Sequence, residues 1–100
     1  MSNDILQQFN TLLLNILKSK SGRERLIYEY ENYVNANIRN INIDGSILDF
    51  YNDLLYDFAY YVEDEKMRSQ DPSYFGDEKL EKIINMAIRQ LEEKGIIFSK

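Results

Sequence analysis

The chain has 100 residues and a hydrophobic content of 44%, which predicts one domain, residues 1–100, built on a single core. It contains neither cysteine nor histidine, so disulfides, thiolate metal sites and the commonest general base are excluded. The net charge of −5 disfavours direct binding to nucleic acid or anionic lipid, because both attract basic surfaces, and favours a cationic partner.

The first predicted helix runs from about Asn3 to Lys20. Its apolar residues recur at intervals of three and four, which places the following on one face: Leu6, Phe9, Leu13, Ile16 and Leu17. Ser2 or Asn3 is expected to cap its start, and Ser21-Gly22 breaks the pattern at its end.

The second predicted helix runs from Gly22 to Asn37, with a stripe formed by Leu26, Tyr30, Tyr33, Val34 and Ile38. Beyond it, Ile41 and Ile43 alternate with polar residues, which is also typical of a short strand. Because no second strand signal lies nearby, we interpret residues 38–44 as a loop that ends in a chain reversal at Asp44-Gly45.

The third predicted helix runs from Ser46 to Val62. Ser46 and Asp49 have the spacing of a capping box, with Asp in place of the usual Glu. Its apolar stripe is broad enough for the centre of a bundle and comprises Ile47, Phe50, Tyr51, Leu54, Leu55, Phe58, Tyr61 and Val62. We therefore expect this helix to be the central one.

The polar stretch from Glu63 to Gly76 is interpreted as a long connection, in which Pro72 prevents helix continuation and part of 64–69 is helical. Within it, Tyr74 or Phe75 has a position that fits a hydrophobic staple.

The last predicted helix is capped by Asp77 and ends at Gly95, with Ile96 placed for a Schellman contact. The apolar tail, residues 96–98, is expected to pack against the end of the bundle. The fold class is thus all-α, a compact four-helix or irregular bundle with a long connection before its last helix.

The negative charge is concentrated in the middle of the chain, where residues 44–78 include ten acidic and two basic side chains. Asp49, Asp53 and Asp57 are spaced four apart, so they form one column on the third helix. Each like-charged pair at this spacing costs about 0.2 to 0.5 kcal/mol on an isolated helix. The column is therefore interpreted either as a solvated face or as part of a negative surface that meets a positive cleft.

The eight tyrosines form a second distinctive group. Tyr30, Tyr33, Tyr51 and Tyr61 lie on apolar stripes and are expected to be core or half-core residues. Tyr56 and Tyr60 instead fall on the polar side of the third helix, beside the aspartates, where they favour an interface. The predicted partner-binding residues are Asp49, Asp53, Tyr56, Asp57, Tyr60, Glu63, Asp64, Asp71 and Tyr74.

The acidic third helix, continued through the sequence Asp-Pro-Ser-Tyr-Phe-Gly-Asp-Glu at 71–78, resembles the small immunity proteins of bacterial toxin systems, including the contact-dependent inhibition and colicin-like groups. The resemblance covers about the C-terminal two-thirds of the chain. It implies a helical protein that neutralises a cognate toxin, often a nuclease, by tight binding. Since interface residues vary within such groups, the resemblance assigns no site residue.

The functional prediction is an immunity protein whose acidic, tyrosine-rich surface binds the basic cleft of a cognate toxin. The alternative is an acidic adaptor or regulatory module, acting as a homodimer or as a mimic of nucleic acid. An enzyme is disfavoured because a carboxylate pair such as Asp53 and Asp57 lacks the histidines and glycine-rich loops that accompany it in catalytic sites. No catalytic residue, metal site or cofactor is predicted, and the oligomeric state is left open.

The predicted location is the cytoplasm. The absence of cysteine fits a reducing compartment, and the residues after Met1 lack the basic start and long apolar run of a secretory signal. The longest apolar run of the first helix, residues 12–14, is far too short to cross a bilayer, so no association with a membrane is expected.

Overall fold

The computed structural model describes residues 2–41 and 44–96, and five α-helices account for most of them. Their bounds are α1 (Ser2–Lys18), α2 (Arg23–Asn37), α3 (Gly45–Phe58), α4 (Glu65–Arg68) and α5 (Asp77–Glu93). The described part of the chain contains no strand, and its Cα atoms extend over 42 × 24 × 21 Å. The all-α prediction is confirmed, with four long helices and a long connection between α3 and α5.

The core is centred on α1, so the expectation that the third helix is the central one is wrong. Helix α1 packs against both α2 and α5, whereas α3 packs against α2. The side chains of α1 that are buried are Phe9, Asn10, Leu12, Leu13, Leu14 and Ile16. The apolar side chains of α1 cover much of its circumference, so other helices can pack on several of its sides. Helix α3 carries its aspartates on one face, which therefore stays in water.

Helix α1 ends at Lys18, two residues earlier than predicted, and Gly22 connects it to α2. Gly22 has φ of 69°, a left-handed conformation that glycine adopts without the steric cost of a Cβ atom. The inner face of α2 is formed by Arg23, Ile27, Tyr30 and Val34. Of the predicted stripe, Leu26, Tyr33 and Ile38 are half-buried and pack on the edge of this core.

The segment after α2 is irregular, in agreement with the predicted loop. Residues 38–40 form one turn of 3-10 helix, and Ile41 then extends the chain and is buried in the core. The second member of the alternating pair, Ile43, lies outside the described residues.

Helix α3 begins with Asp44 as its N-cap, since the Asp44 carboxylate accepts hydrogen bonds from the backbone N–H and the hydroxyl of Ser46. The predicted cap at Ser46 is therefore wrong by two residues. The hydrogen bonds from Ser46 also hold the pKa of Asp44 below its usual range, because they stabilise the carboxylate.

Helix α3 ends at Phe58, four residues before the predicted end at Val62. Residues 59–60 then form a turn, and a parallel bridge joins Tyr61 to Phe75. The backbone N–H of Val62 donates to the Phe75 carbonyl, and the Phe75 N–H donates to the Tyr60 carbonyl, each at 3.0 Å. The predicted burial of Tyr61 and Val62 is confirmed. They are buried by the bridge and not as part of a helix, since both follow the end of α3.

The bridge closes the connection between α3 and α5 into a loop that contains the short helix α4. The Arg68 guanidinium in this helix donates to the backbone carbonyls of Val62 and Glu63. A Cβ atom on Gly76 would lie 2.7 Å from the Arg68 Nη1 atom, so glycine allows the close approach of this side chain. The prediction that part of residues 64–69 is helical is confirmed.

Helix α5 has Gly76 at its N-cap, so the predicted capping role of Asp77 is wrong. The C-terminal prediction is confirmed: Gly95 has φ of 92°, and the N–H groups of Ile96 and Gly95 donate to the carbonyls of Leu91 and Glu92 in a Schellman arrangement. Ile96 packs on the core, as predicted for the start of the tail, while residues 97–98 lie outside the described part.

Candidate protein-interaction surface

The three aspartates predicted to form a column are all exposed on α3, on the side of the helix opposite Tyr51 and Phe58. Within residues 2–41 and 44–96, no lysine or arginine lies within ion-pair distance of Asp49, Asp53 or Asp57. The fold itself therefore uses none of the three carboxylates to neutralise a charge.

Two exposed tyrosines lie beside the aspartates. The side chain of Tyr56 is 70% exposed on α3, and that of Tyr60 is 48% exposed in the turn two residues beyond the helix. The sequence predicted that Tyr60 follows Tyr56 by one turn of the same helix, which is wrong because α3 ends at Phe58. The side chain of Tyr60 is nevertheless exposed. We refer to Asp49, Asp53, Tyr56, Asp57 and Tyr60 as the acidic tyrosine face.

The other predicted interface residues have structural contacts of their own. The Glu63 carboxylate accepts the backbone N–H of Glu24, and the Glu24 carboxylate accepts the backbone N–H of Glu63, at 2.8 and 2.9 Å. Asp64 caps α4 by accepting the Lys66 N–H, while Asp71 is half-buried and accepts the Ser73 N–H. The Glu63 contact joins the start of the loop to α2, whereas those of Asp64 and Asp71 are local turns. Each bond occupies a carboxylate oxygen, so these acids are less available to a partner.

Tyr74, the last of the predicted interface residues, is half-buried in the same loop. Its neighbour Phe75 is buried against Tyr61 and has the Lys79 ammonium 5.2 Å from its ring centroid. Phe75 directly precedes the N-cap Gly76 and lies in the same buried core as Leu80, the fourth residue of α5, which is the placement of a hydrophobic staple. Tyr74 is therefore less exposed than Tyr56 and Tyr60.

A groove of about 220 Å³ runs between α3 and α5, directly beside the acidic tyrosine face. Leu54 and Ala87 lie at its base, and the half-buried Phe50 and Ile83 form its walls. Met86 borders it with 62% of its side chain exposed. Sequence reasoning did not identify this groove, although the position of Met86 on the polar side of a strongly amphipathic helix was a usable signal.

Sequence reasoning also missed the main buried polar group, Arg23, whose side chain is only 2% exposed. Its guanidinium donates to the carbonyls of Ile16 and Leu17 at the end of α1, and to Asp77 and Glu81 on α5 at 3.0 Å each. It replaces the helix capping that α1 otherwise lacks at its C-terminus and ties α1 and α2 to α5. We call these contacts the Arg23 network.

The Arg23 network shifts the pKa values of both Asp77 and Arg23 in favour of their charged forms. The Tyr61 hydroxyl donates to the Asp77 carboxylate at 2.6 Å, and this bond, together with Arg23, lowers the pKa of Asp77 although burial opposes the shift. Burial disfavours the charged form of Arg23, but its bonds to Asp77 and Glu81 outweigh that effect and raise its pKa. Arg23 is therefore an ionised structural group, with all its charge directed into the protein.

Across residues 2–41 and 44–96, no three Asp or Glu side chains converge as metal ligands would. No helix in this part of the chain combines the length and the apolar character needed to cross a bilayer.

The described residues thus place together an exposed row of carboxylates, two exposed tyrosine rings and an adjoining apolar groove bordered by Met86. Of these side chains, tyrosine and methionine are enriched at protein interfaces. Comparisons with protein-family models, with curated proteins and with solved structures found no match.

Proposed function

We propose that this protein is an immunity protein, which binds a cognate bacterial toxin through the acidic tyrosine face and blocks a basic cleft on that toxin. The observation that carries the proposal is the row of three exposed aspartates on α3 with no ion-pair partner among the described residues. Such a row weakens the helix by mutual repulsion, so a partner that supplies lysine or arginine accounts for it better than stability does.

The electrostatic part of the mechanism is steering. Asp49, Asp53 and Asp57 lie about one helical turn apart, so their potentials add over the length of α3. A negative surface of this kind raises the rate at which a positively charged cleft is encountered, and it then pairs with the arginines and lysines that line the cleft. A nuclease that binds phosphates has a cleft with this charge.

The tyrosines supply the contact area. Tyr56 and Tyr60 are both exposed near the end of α3, and each ring has an apolar surface with a polar tip. Rings of this type lose little conformational entropy on binding and are enriched at interface hot spots. When the toxin binds this face, the bulk of the bound protein keeps the toxin's substrate out of the cleft. Neutralisation of this kind needs no catalytic group in the protein.

The proposal is tested by using the protein as bait in a lysate of its source cells and identifying what is retained. We expect one basic toxin domain in near-equal amount, and co-expression of the two proteins should abolish the toxicity of that domain. Retention of many unrelated basic proteins, or protection that fails on co-expression, would instead favour an acidic regulatory module.

The role of the face is tested with the captured partner. Replacing Asp53 and Asp57 by lysine should slow association at low ionic strength by about tenfold or more, with a smaller effect at high salt. The matched control replaces Glu29 and Glu92, which are exposed on α2 and α5, by lysine and changes the net charge equally. Equal slowing in both variants would show that only net charge matters and would remove the acidic tyrosine face from the mechanism.

A further inference from the structure

The groove between α3 and α5 exposes apolar side chains that do not belong to the acidic tyrosine face. Met86 stands at its edge, and Phe50 and Ile83 are only half-buried, although the residues beneath them, Leu54 and Ala87, belong to the closed core. The apolar area that the groove leaves open to water does not stabilise the fold, and covering the groove would remove the exposed methionine side chain from solvent.

The α3 edge of the groove is acidic, and the outer face of α5 next to the groove carries Lys82 and Arg89, which we call the basic edge. Asp53 and Asp57 line the edge on α3. Beyond Met86, the outer face of α5 continues into a shallow depression lined by Lys82 and Arg89. Lys82 also contacts Glu78 at 3.6 Å, but both side chains are largely exposed, so this pair is weak and leaves the ammonium available.

We propose that the groove between α3 and α5 is a dimer interface that binds a second copy of this chain. A two-fold axis that lies in the interface along the groove places α3 of each copy opposite α5 of the other. The acidic edge, Asp53 and Asp57, then faces the basic edge, Lys82 and Arg89, and it does so twice because the interface is isologous.

The charges also select this arrangement over its main competitor. A two-fold axis that ran across the groove would place α3 against α3 and bring the aspartates of both copies together, which costs free energy by like-charge repulsion. With the axis along the groove, Met86 of each copy reaches the apolar floor of the other, and the unbranched methionine side chain adapts to a recess of this kind. The surface is therefore complementary to itself in both polarity and charge.

The inference goes beyond the proposed function and stands without it. Asp53 and Asp57 belong both to the groove and to the acidic tyrosine face, so a second copy and a basic partner compete for the same carboxylates. Tyr56 lies on the side of α3 away from the groove and remains exposed in the dimer. The dimer would thus be the form of the protein that is present before its partner arrives.

The first test is the mass of the full chain in solution, measured by sedimentation equilibrium up to about 1 mM, the range where a weak but specific association is still detected. We expect a reversible equilibrium between monomer and dimer that weakens as the ionic strength rises. A monomer mass at every concentration would overturn the proposal.

The second test reverses one edge at a time. The variant with Asp53→Lys and Asp57→Lys makes both edges basic, and the variant with Lys82→Glu and Arg89→Glu makes both acidic. Each variant alone should dimerise at least about tenfold more weakly than the wild type, because like charges now face each other. A control with Glu29→Lys and Glu65→Lys, which lie outside the groove, should dimerise as the wild type does.

Mixing the two edge variants supplies the decisive measurement. The basic edges of one variant face the acidic edges of the other, so an equimolar mixture should form a heterodimer at least as tight as the wild-type dimer. Restoration in the mixture also shows that both variants are folded, which far-UV circular dichroism checks separately. A mixture that stays monomeric while both variants keep their helical content would show that any wild-type dimer uses another surface.

Discussion

Arg23 is the side chain through which three helices are joined, and its burial makes it sensitive to substitution. Its guanidinium satisfies two carbonyls at the end of α1 and pairs with two carboxylates on α5. Arginine has a planar set of five donors, and here its three nitrogens donate to four acceptors, two carbonyls and two carboxylates. Lysine has a single ammonium group and cannot reach all of them.

Replacing Arg23 by alanine should lower the free energy of unfolding by about 3 kcal/mol, because buried carbonyls and part of two carboxylates lose their partner. The loss is limited because Asp77 and Glu81 stay 58% and 39% exposed, so water solvates them in part. Urea denaturation followed by circular dichroism measures the change. Arg25→Ala, which removes an exposed pair at 3.9 Å, is the control and should cost under about 0.5 kcal/mol. Similar losses in the two variants would contradict a structural role for the Arg23 network.

Sequence patterns predicted the apolar residues of the core far better than its polar ones. Phe9, Leu13 and Ile16 follow helical spacing and are fully buried, as expected. Arg23 gave no such signal, since an arginine in the first turn of a helix is normally solvated and its two carboxylate partners lie more than fifty residues away. Long-range pairing of this kind depends on the tertiary arrangement, which periodicity does not contain.

At the scale of elements, the ends of the helices decide which residues reach the surface. Helix α3 stops at Phe58 because the following residues form the bridge with Phe75. The bridge takes Tyr61 into the core and leaves Tyr60 outside it. The prediction that these aromatics divide between core and surface is confirmed in outcome, whereas the helical geometry predicted for them is wrong. A single parallel bridge involves too few residues to produce a recognisable strand pattern.

Glycines at two helix starts offer a matched pair of substitutions with opposite expected signs. Gly22→Ala places a Cβ atom at φ of 69° and should destabilise the protein by about 1 kcal/mol. Gly45→Ala lies within α3, has open space around the new Cβ atom and no positive φ, and should stabilise by about 0.4 to 1 kcal/mol. Thermal denaturation of both variants measures the difference. A destabilised Gly45→Ala variant would show that α3 does not begin with the geometry described here.

At the scale of the whole molecule, the charge is divided between parts of the fold. The acids on α3 are left to solvent and potential partners, while Asp77 and Glu81 on α5 are used within the protein by Arg23. The sequence predicted the concentration of acids in residues 44–78 and its exposure on α3, but it placed Glu63, Asp64 and Asp71 on the interface with equal weight. The Glu63 carboxylate is bonded to the backbone of α2, and those of Asp64 and Asp71 to the backbone of their own loop. Spacing alone does not separate such acids from free ones. The partner of the surface stays a prediction.

Stability at high pH depends on three buried tyrosines that connect different elements. Burial is the main cause that raises the pKa values of Tyr30, Tyr51 and Tyr61, and the carboxylate of Asp77 adds to it for Tyr61. A tyrosine whose folded pKa is raised contributes stability that is complete below its unfolded pKa of 10.0 and is lost as the pH rises towards the folded value.

We therefore expect the free energy of unfolding to fall steeply above pH 10, and the helical signal to disappear together with the ionisation of the buried phenols. Combined pH titrations of tyrosine absorbance and far-UV circular dichroism provide the measurement. The Tyr51→Phe variant removes one of the three ionising groups and should show a shallower fall. Ionisation of all eight tyrosines with the helices intact would contradict the burial described for these rings.

The Arg23 network also bears on the order in which the fold is assembled. Helices α1 and α2 are joined by residues 19–22, so they can pair at a small cost in loop-closure entropy, whereas Arg23 meets Asp77 and Glu81 across 54 and 58 residues of chain. We therefore expect the guanidinium to stay hydrated until α5 docks. The transfer of this charge out of water would then belong to the docking step and raise the barrier for both the arrival and the departure of the last helix.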